Sequence, residues 1–363
     1  EILPRGILFW RSLTCWLGGM GILVLTLTVL PSPGVVGLQV YKAELPGPTA
    51  DKLVPRLADT ARILYFVYGG MTVLQTILLL FGGLSLYDSL LFAFTTVSTG
   101  GFSQYNTSLA GFSTNTYAII IMSVWMILSG VNFGLYYDIW RGRWRNVFAN
   151  SELRFYLMLM GIGVVGVTWS LWSRFSYSLF ESFKHALVQV SSIMTTTGFT
   201  SANYDQWPTF GQLVLFLFMF TGACAGSTTG ALKLIRLVIA GKLIKREVSH
   251  LLHSRAMVPI TVNGYVVPEE MIRGVCAFLF LYFALFAVGT VIISTEGIGM
   301  VGASSAVAAT LGNVGPGFDA VGPAHTYSQF SPWATVLLTI LMLLGRLELF
   351  TMIAIITPGY WRQ

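Results

Sequence analysis

The sequence predicts an all-α polytopic membrane protein. Units of helix, pore half-helix, Gly-bearing strand and helix repeat around a central pore. Three observations carry this reading. Only 36 of 363 residues are charged, 21 Lys or Arg and 15 Asp or Glu. Apolar windows of spanning length recur along the chain. Three Ser/Thr/Gly clusters stand in register between those windows.

Charge comes first. Ten per cent charged residues, against about 25% in an ordinary soluble domain, cannot cover a water-exposed surface. Apolar residues reach 55% and mean hydropathy is +0.72. A soluble enzyme, a secreted disulfide scaffold and a disordered chain are excluded. The net charge of +6 follows from loop placement and calls for no nucleic acid. Cys15, Cys224 and Cys276 lie in apolar runs without metal-ligand spacing and read as buried thiols. No initiator Met or signal peptide opens the chain at Glu1, so it reads as the later part of a longer protein or a processed product.

A spanning helix needs about 20 apolar residues. Seven crossings are predicted, at 8–30, 62–84, 115–138, 153–173, 209–235, 271–294 and 333–357. If they alternate, 16 of the 21 basic residues fall on one side. They are Lys42, Lys52, Arg56, Arg62, Arg141, Arg143, Arg145, Arg154, Lys233, Arg236, Lys242, Lys245, Arg246, Arg255, Arg273 and Arg362. That side is the cytoplasm. Orientation accounts for each cluster, and 242–255 also offers a docking surface for a cytosolic partner.

The outer connections 85–114, 174–208 and 295–332 are long, apolar and nearly uncharged. Each begins with a stretch of half-helix length and reaches a small-residue cluster: Thr96-Val97-Ser98-Thr99-Gly100, Met194-Thr195-Thr196-Thr197-Gly198 and Leu311-Gly312-Asn313-Val314-Gly315. This is the pattern of a re-entrant segment. Non-helical backbone survives at membrane depth only where it lines a water-filled cavity or is buried in protein. The alignment places Gly100, Gly198 and Gly315 together, and divides the chain at 1–60, 61–150, 151–268 and 269–363. Residues 7–31 read as the second helix of a unit whose first helix and strand would precede Glu1.

This unit suits cation conduction. Gly permits the positive φ that turns successive carbonyls to one axis, and rings of carbonyls replace a cation's hydration shell. A half-helix turns its negative C-terminal end to the cavity. The plainer alternative is three turns between helices, which would need no apolar half-helix ahead of them.

Taken with Trp10-Arg11-Ser12, Gly18-Gly19-Met20-Gly21, the nine residues from Gly222 to Gly230 and Gly345-Arg346-Leu347-Glu348, these strands resemble the membrane subunit of the Trk/Ktr/HKT potassium transporters. The resemblance covers essentially the whole chain. It implies a potassium-channel-like fold in the bacterial cytoplasmic membrane. In that fold backbone carbonyls of Ser98, Thr99, Gly100, Thr196, Thr197, Gly198, Asn313, Val314 and Gly315 form a filter for K+ as the transported ion. It implies a homodimer resting on cytosolic nucleotide-binding (RCK-type) regulatory subunits, with 236–255 as a contact, and no organic cofactor. Asn313-Val314 departs from the Ser/Thr of the other strands and implies a less symmetric quarter.

Two further groups bear on gating. Gly222, Gly226, Ser227, Thr228, Thr229 and Gly230 crowd one stretch of the helix 209–235. Each interior Gly costs about 1 kcal/mol relative to Ala. Either small residues pack two helices closely, or the helix is broken; by resemblance its loop is the intramembrane gate. Arg346 reads as lying near the middle of the last helix, where a charge faces a cavity or a partner. By resemblance it projects into the pore. Glu348, two residues on, points elsewhere. Asp88, Glu181, Asp205, Glu296 and Asp319 either attract cations at the outer face or cap half-helices, and His185 reads as a capping or packing residue.

A sodium-coupled or sodium-permeable transporter of the same fold remains the nearest alternative. A potassium-binding subunit of an ATP-driven pump would leave nucleotide chemistry to a partner, since no P-loop is present. An intramembrane hydrolase would need a Gly-x-Ser-x-Gly elbow or paired aspartates, and the chain has neither motif.

Overall fold

The computed structural model describes residues 3–21, 57–112, 114–175, 177–253, 258–347 and 349–356. Among the described residues, three helices run unbroken for a membrane's width: α2 (Leu57–Phe81), α7 (Ser151–Arg174) and α11 (Glu269–Ser294). Their outward faces carry Phe66, Trp169 and Phe280, all exposed, as lipid-facing helices do. The remaining helices are α1 (Arg5–Gly19), α3 (Leu86–Val97), α4 (Thr116–Ser129), α5 (Phe133–Trp140), α6 (Trp144–Ala149), α8 (Leu179–Met194), α9 (Thr209–Phe220), α10 (Leu234–Leu252), α12 (Met300–Leu311), α13 (Pro332–Arg346) and α14 (Leu349–Ile356). A two-stranded hairpin, β1 (Thr261–Val262) and β2 (Tyr265–Val266), turns at Asn263-Gly264.

Several predicted crossings are interrupted. The span 115–138 is two helices, α4 and α5, bent by 94°. At the bend the Asn132 side chain accepts the Gly134 amide at 2.7 Å and starts a new helix. The span 209–235 stops at Phe220 and resumes at Leu234. The span 333–357 breaks after Arg346, so Arg346 ends a helix rather than lying mid-helix. Of 8–30, residues 22–30 lie outside the described residues, as do Lys42, Lys52, Arg56, Arg255, Glu348 and Arg362. Two other expectations change. Lys233 is buried among the protein's own groups rather than in a cytoplasmic connection, and Cys276 is exposed on α11.

The half-helices α3, α8 and α12 are buried along most of their length. Local chemistry starts two of them. The Ser85 hydroxyl accepts the Asp88 amide at 3.1 Å, and Ser178 with Glu181 forms a capping box. Around them α7, α8, α9, α11, α12 and α13 share one core, and α3 and α4 a second with Val188 and Phe199. In a third, Trp16 of α1 stacks on Tyr68 of α2, donating its indole N–H to Thr72 at 3.0 Å. A fourth joins α10, α11 and the hairpin segment through Ile235, Ile239, Ile260 and Ile272.

Candidate functional site

Beyond Val97, Met194 and Leu311, where α3, α8 and α12 end, the backbone makes the same turn three times. The second residue past each helix is left-handed: Thr99 at φ 53°, Thr196 at 53° and Asn313 at 55°. Asn tolerates that region better than most residues. Two residues further a Gly does the same: Gly101 at φ 64°, Gly198 at 87° and Gly315 at 102°. The amides of Thr99, Thr196 and Asn313 each donate at 3.0 Å to Thr96, Ile193 and Thr310 carbonyls. Those of Gly100, Thr197 and Val314 each donate at 2.8 Å to Thr95, Ser192 and Ala309. The sequence alignment is thereby corrected by one residue. Gly101, not Gly100, stands with Gly198 and Gly315, and Gly100 stands with Thr197 and Val314.

Contacts between turns follow the same register. A Cβ on Gly101 would lie 1.7 Å from the Thr197 carbonyl oxygen, and one on Gly198 would lie 2.4 Å from that of Val314. The first two turns thus press their left-handed glycines against the next turn's backbone. Gly315, third in order, meets nothing within 4 Å among the described residues. Gly100 has another neighbour: a Cβ there would fall 2.0 Å from the Cys15 thiol of α1, which itself lies 3.2 Å from the Ser98 hydroxyl.

All nine expected strand residues, from Ser98 through Gly315, line one cavity of about 690 Å³, together with Gly101. Cys15, Gly18 and Gly19 of α1 form one wall, and Thr335, Thr339 and Met342 of α13 another. The C-terminal ends of three half-helices converge on this space, and their partial negative charge favours a cation there.

On the side of Gly230 and Arg346 the cavity meets the segment between α9 and α10. Residues 221–233 are non-helical and largely buried. A neck forms where Gly222 donates to Leu232 O at 2.8 Å, Leu232 to Phe220 O at 3.2 Å and Leu234 to Ala223 O at 3.1 Å. The tip beyond it touches all three turns. The Thr228 hydroxyl donates to Val97 O at 3.1 Å, and the Thr99 hydroxyl lies 3.0 Å from Thr228 O. The Gly230 amide donates to the Thr196 hydroxyl at 2.7 Å. A Cβ on Gly230 would come 2.7 Å from Gly312 O. Of the six expected gating residues in this stretch, Gly230 alone lines the cavity; Gly222, Gly226, Ser227, Thr228 and Thr229 build the neck and tip behind it.

Arg346 donates to Thr228 O at 2.9 Å and to Gly19 O at 3.4 Å. The guanidinium therefore ties the tip to the end of α1 and places its charge on the cavity wall. Sequence reasoning missed the residues that hold the segment from behind. Gly130 O, at the α4–α5 bend, accepts the Cys224 amide at 3.0 Å, and Gly226 O accepts that of Phe133 at 3.0 Å. Glu152 accepts the amides of Ala225 at 2.7 Å and Ile235 at 2.9 Å. Lys233 is buried and donates to both the carbonyl and the hydroxyl of Thr229.

The outer acids bind nearby backbone amides and polar side chains. Asp88 accepts from Ser85 at 2.8 Å and Gln104 at 2.9 Å. Glu296 accepts the Ser331 amide at 2.9 Å and its hydroxyl at 2.7 Å at the start of α13. Asp205 accepts the Asp319 amide at 3.2 Å, and partial burial holds its carboxyl above the usual range. His185 stacks on Tyr177 and lies 3.0 Å from Ser201 Oγ, a packing role. No cluster of His, Cys, Asp and Glu among the described residues is built to hold a metal ion.

A turn repeated three times around one cavity, with a buried non-helical segment beneath it, is a specific arrangement to compare. Residues 1–358 match the TrkH family, described as a cation transport protein. The chain belongs to the TrkH family. It is 36% identical to the Trk system potassium uptake protein TrkH of Halomonas elongata and 37% identical to that of Escherichia coli K12, covering all of this chain and 75% of each relative. The crystal structure of the potassium transporter TrkH from Vibrio parahaemolyticus superposes with a TM-score of 0.83 at 32% identity, over 99% of this chain and 74% of that one. This TrkH-family chain is thus a helical, multi-pass membrane protein.

Proposed function

We propose that this protein carries K+ into the bacterial cell across the cytoplasmic membrane, through a filter made by the three turns. The observation that carries the reading is the shared backbone of 98–101, 195–198 and 312–315 around one cavity. Carbonyl oxygens there replace water around the ion, and the half-helix ends add attraction without fixed charge. The names of the relatives, potassium uptake proteins, support K+ over Na+. The glycine of each turn in this reading is Gly101, Gly198 or Gly315, each within the repeat division at 61–150, 151–268 and 269–363.

Residues 221–233 act as the gate. Their tip lies across the inner end of the turns, and Arg346 adds a positive charge beside it. The working unit is a homodimer on cytosolic nucleotide-binding subunits, with the basic helix α10 as their contact; this part rests on resemblance. Uptake of K+ by cells lacking their own potassium uptake systems tests the function. Growth restored at low external K+ by the full-length protein supports it, and restored Na+ accumulation without K+ gain contradicts it.

A further inference from the structure

We infer that Glu152 is a positioning residue for the gate: one carboxylate clasps both limbs of the segment 221–233 and fixes its neck to the wall, so that opening is confined to the tip. The inference rests on the gating assignment above.

Glu152 lies in the first turn of α7 and is 5% exposed. It is not among the residues that line the cavity. Its Oε1 accepts from Ala225, on the limb leaving α9, and from Ile235, on the limb entering α10. The two amides are ten positions apart in sequence, on opposite limbs, and are brought to one oxygen. Ile235 is in the first turn of α10, where amides have no acceptor within the helix, and Lys233 at the N-cap offers no side-chain cap. A carboxylate there satisfies an orphan donor and lies at the positive end of the helix. The Ala225 amide is a second donor on the same atom. The backbone pairs Gly222–Leu232 and Ala223–Leu234 continue the closure along the neck. Glu152 completes it at the side away from the cavity, and only 226–231 remain free of that clasp.

Reach, not charge, is the property this role needs. Glu152→Gln keeps an oxygen acceptor at the same distance. Glu152→Asp keeps the charge but withdraws the oxygen by one methylene and cannot span both amides. A residue serving only as a buried charge would show the reverse order.

The test measures K+ flux per inserted molecule in proteoliposomes, without cytosolic subunits, for Glu152→Asp, Glu152→Gln and Glu152→Ala of the full-length protein. A variant lacking 226–230 serves as the reference for an absent tip. The inference expects Asp and Ala to raise basal flux about ten-fold, equivalent to about 1.4 kcal/mol, with Gln within about two-fold of wild type and the K+/Na+ ratio unchanged. Three results overturn it: Gln raised with Asp unchanged, all three at wild-type flux, or Asp and Ala both absent from the membrane. If the shortened tip raises flux while the Glu152 variants do not, the clasp falls and the gate stands. If the shortened tip is also silent, both fall.

Discussion

Gly198 faces the carbonyl oxygen of Val314 so closely that a methyl group on its Cα would stand 2.4 Å from that oxygen. Gly101 bears the same relation to Thr197 at 1.7 Å. A side chain at either position must push apart two neighbouring turns, on top of the strain of a left-handed φ, about 1–2 kcal/mol.

Graded losses follow for the three equivalent glycines. Gly101→Ala and Gly198→Ala are expected to lower K+ flux or the K+/Na+ ratio at least about ten-fold, about 1.4 kcal/mol in barrier, and Gly198→Ser to admit Na+ or abolish uptake. Gly315→Ala carries the strain of φ 102° without a clash among the described residues, so its loss is smaller. Flux and selectivity in proteoliposomes, normalised to inserted protein, give the ranking; equal effects at all three would contradict the contact geometry.

The one-residue register has its own test in Gly100, whose added methyl would meet the Cys15 sulfur at 2.0 Å. Gly100→Ala is expected to impair transport, and Cys15→Ala in the same molecule to restore at least half of it by removing that atom. Gly101→Ala meets backbone instead, so Cys15→Ala leaves it impaired. Rescue of Gly101→Ala, or no rescue of Gly100→Ala, speaks against the register.

A guanidinium would repel a cation passing at 4 Å by about 4 kcal/mol with an effective dielectric of 20, and Arg346 also holds Thr228 O. Arg346→Ala is expected to raise basal K+ conductance several-fold. Arg346→Lys keeps the charge but loses the two-armed hold on Thr228 and Gly19, giving an intermediate value. An Ala variant that inserts normally and conducts like wild type removes Arg346 from the barrier. One that disappears from the membrane marks it as part of a structural pair.

Glu296 binds both the amide and the hydroxyl of Ser331 at the start of α13. Glu296→Ala should therefore cost about 1 kcal/mol of stability, read as a lower melting temperature in detergent, while flux per inserted molecule and the K+/Na+ ratio stay at wild-type values. A change in ion affinity with unaltered melting temperature would make it an ion-attracting group instead.

The half-helix and turn pattern was legible because its signals are local: an apolar run of half length, then Ser, Thr and Gly. The break at 221–233 was legible for the same reason, since six small residues in nine positions are poor helix. Register was not. Gly100 and Gly101 are adjacent and satisfy the same local rule; the folded backbone separates them, through the left-handed φ of Gly101 and its contact with Thr197, 96 positions away in sequence. The α4–α5 bend was equally hidden. Gly130-Val131-Asn132 is mild within an apolar run, and what opens it is pairing with Cys224 and Gly226. Glu152 reads in sequence as an ordinary acid in a helix's first turn, with nothing nearby to announce Ala225 or Ile235 as its partners.

Anomalous diffraction from crystals of the full-length protein grown with Tl+ in place of K+ tests the carbonyl filter most directly. The account predicts ion density on the axis shared by Gly100, Thr197 and Val314, within coordinating distance of their carbonyl oxygens. Bound Tl+ elsewhere in the protein, with that axis empty, would contradict it.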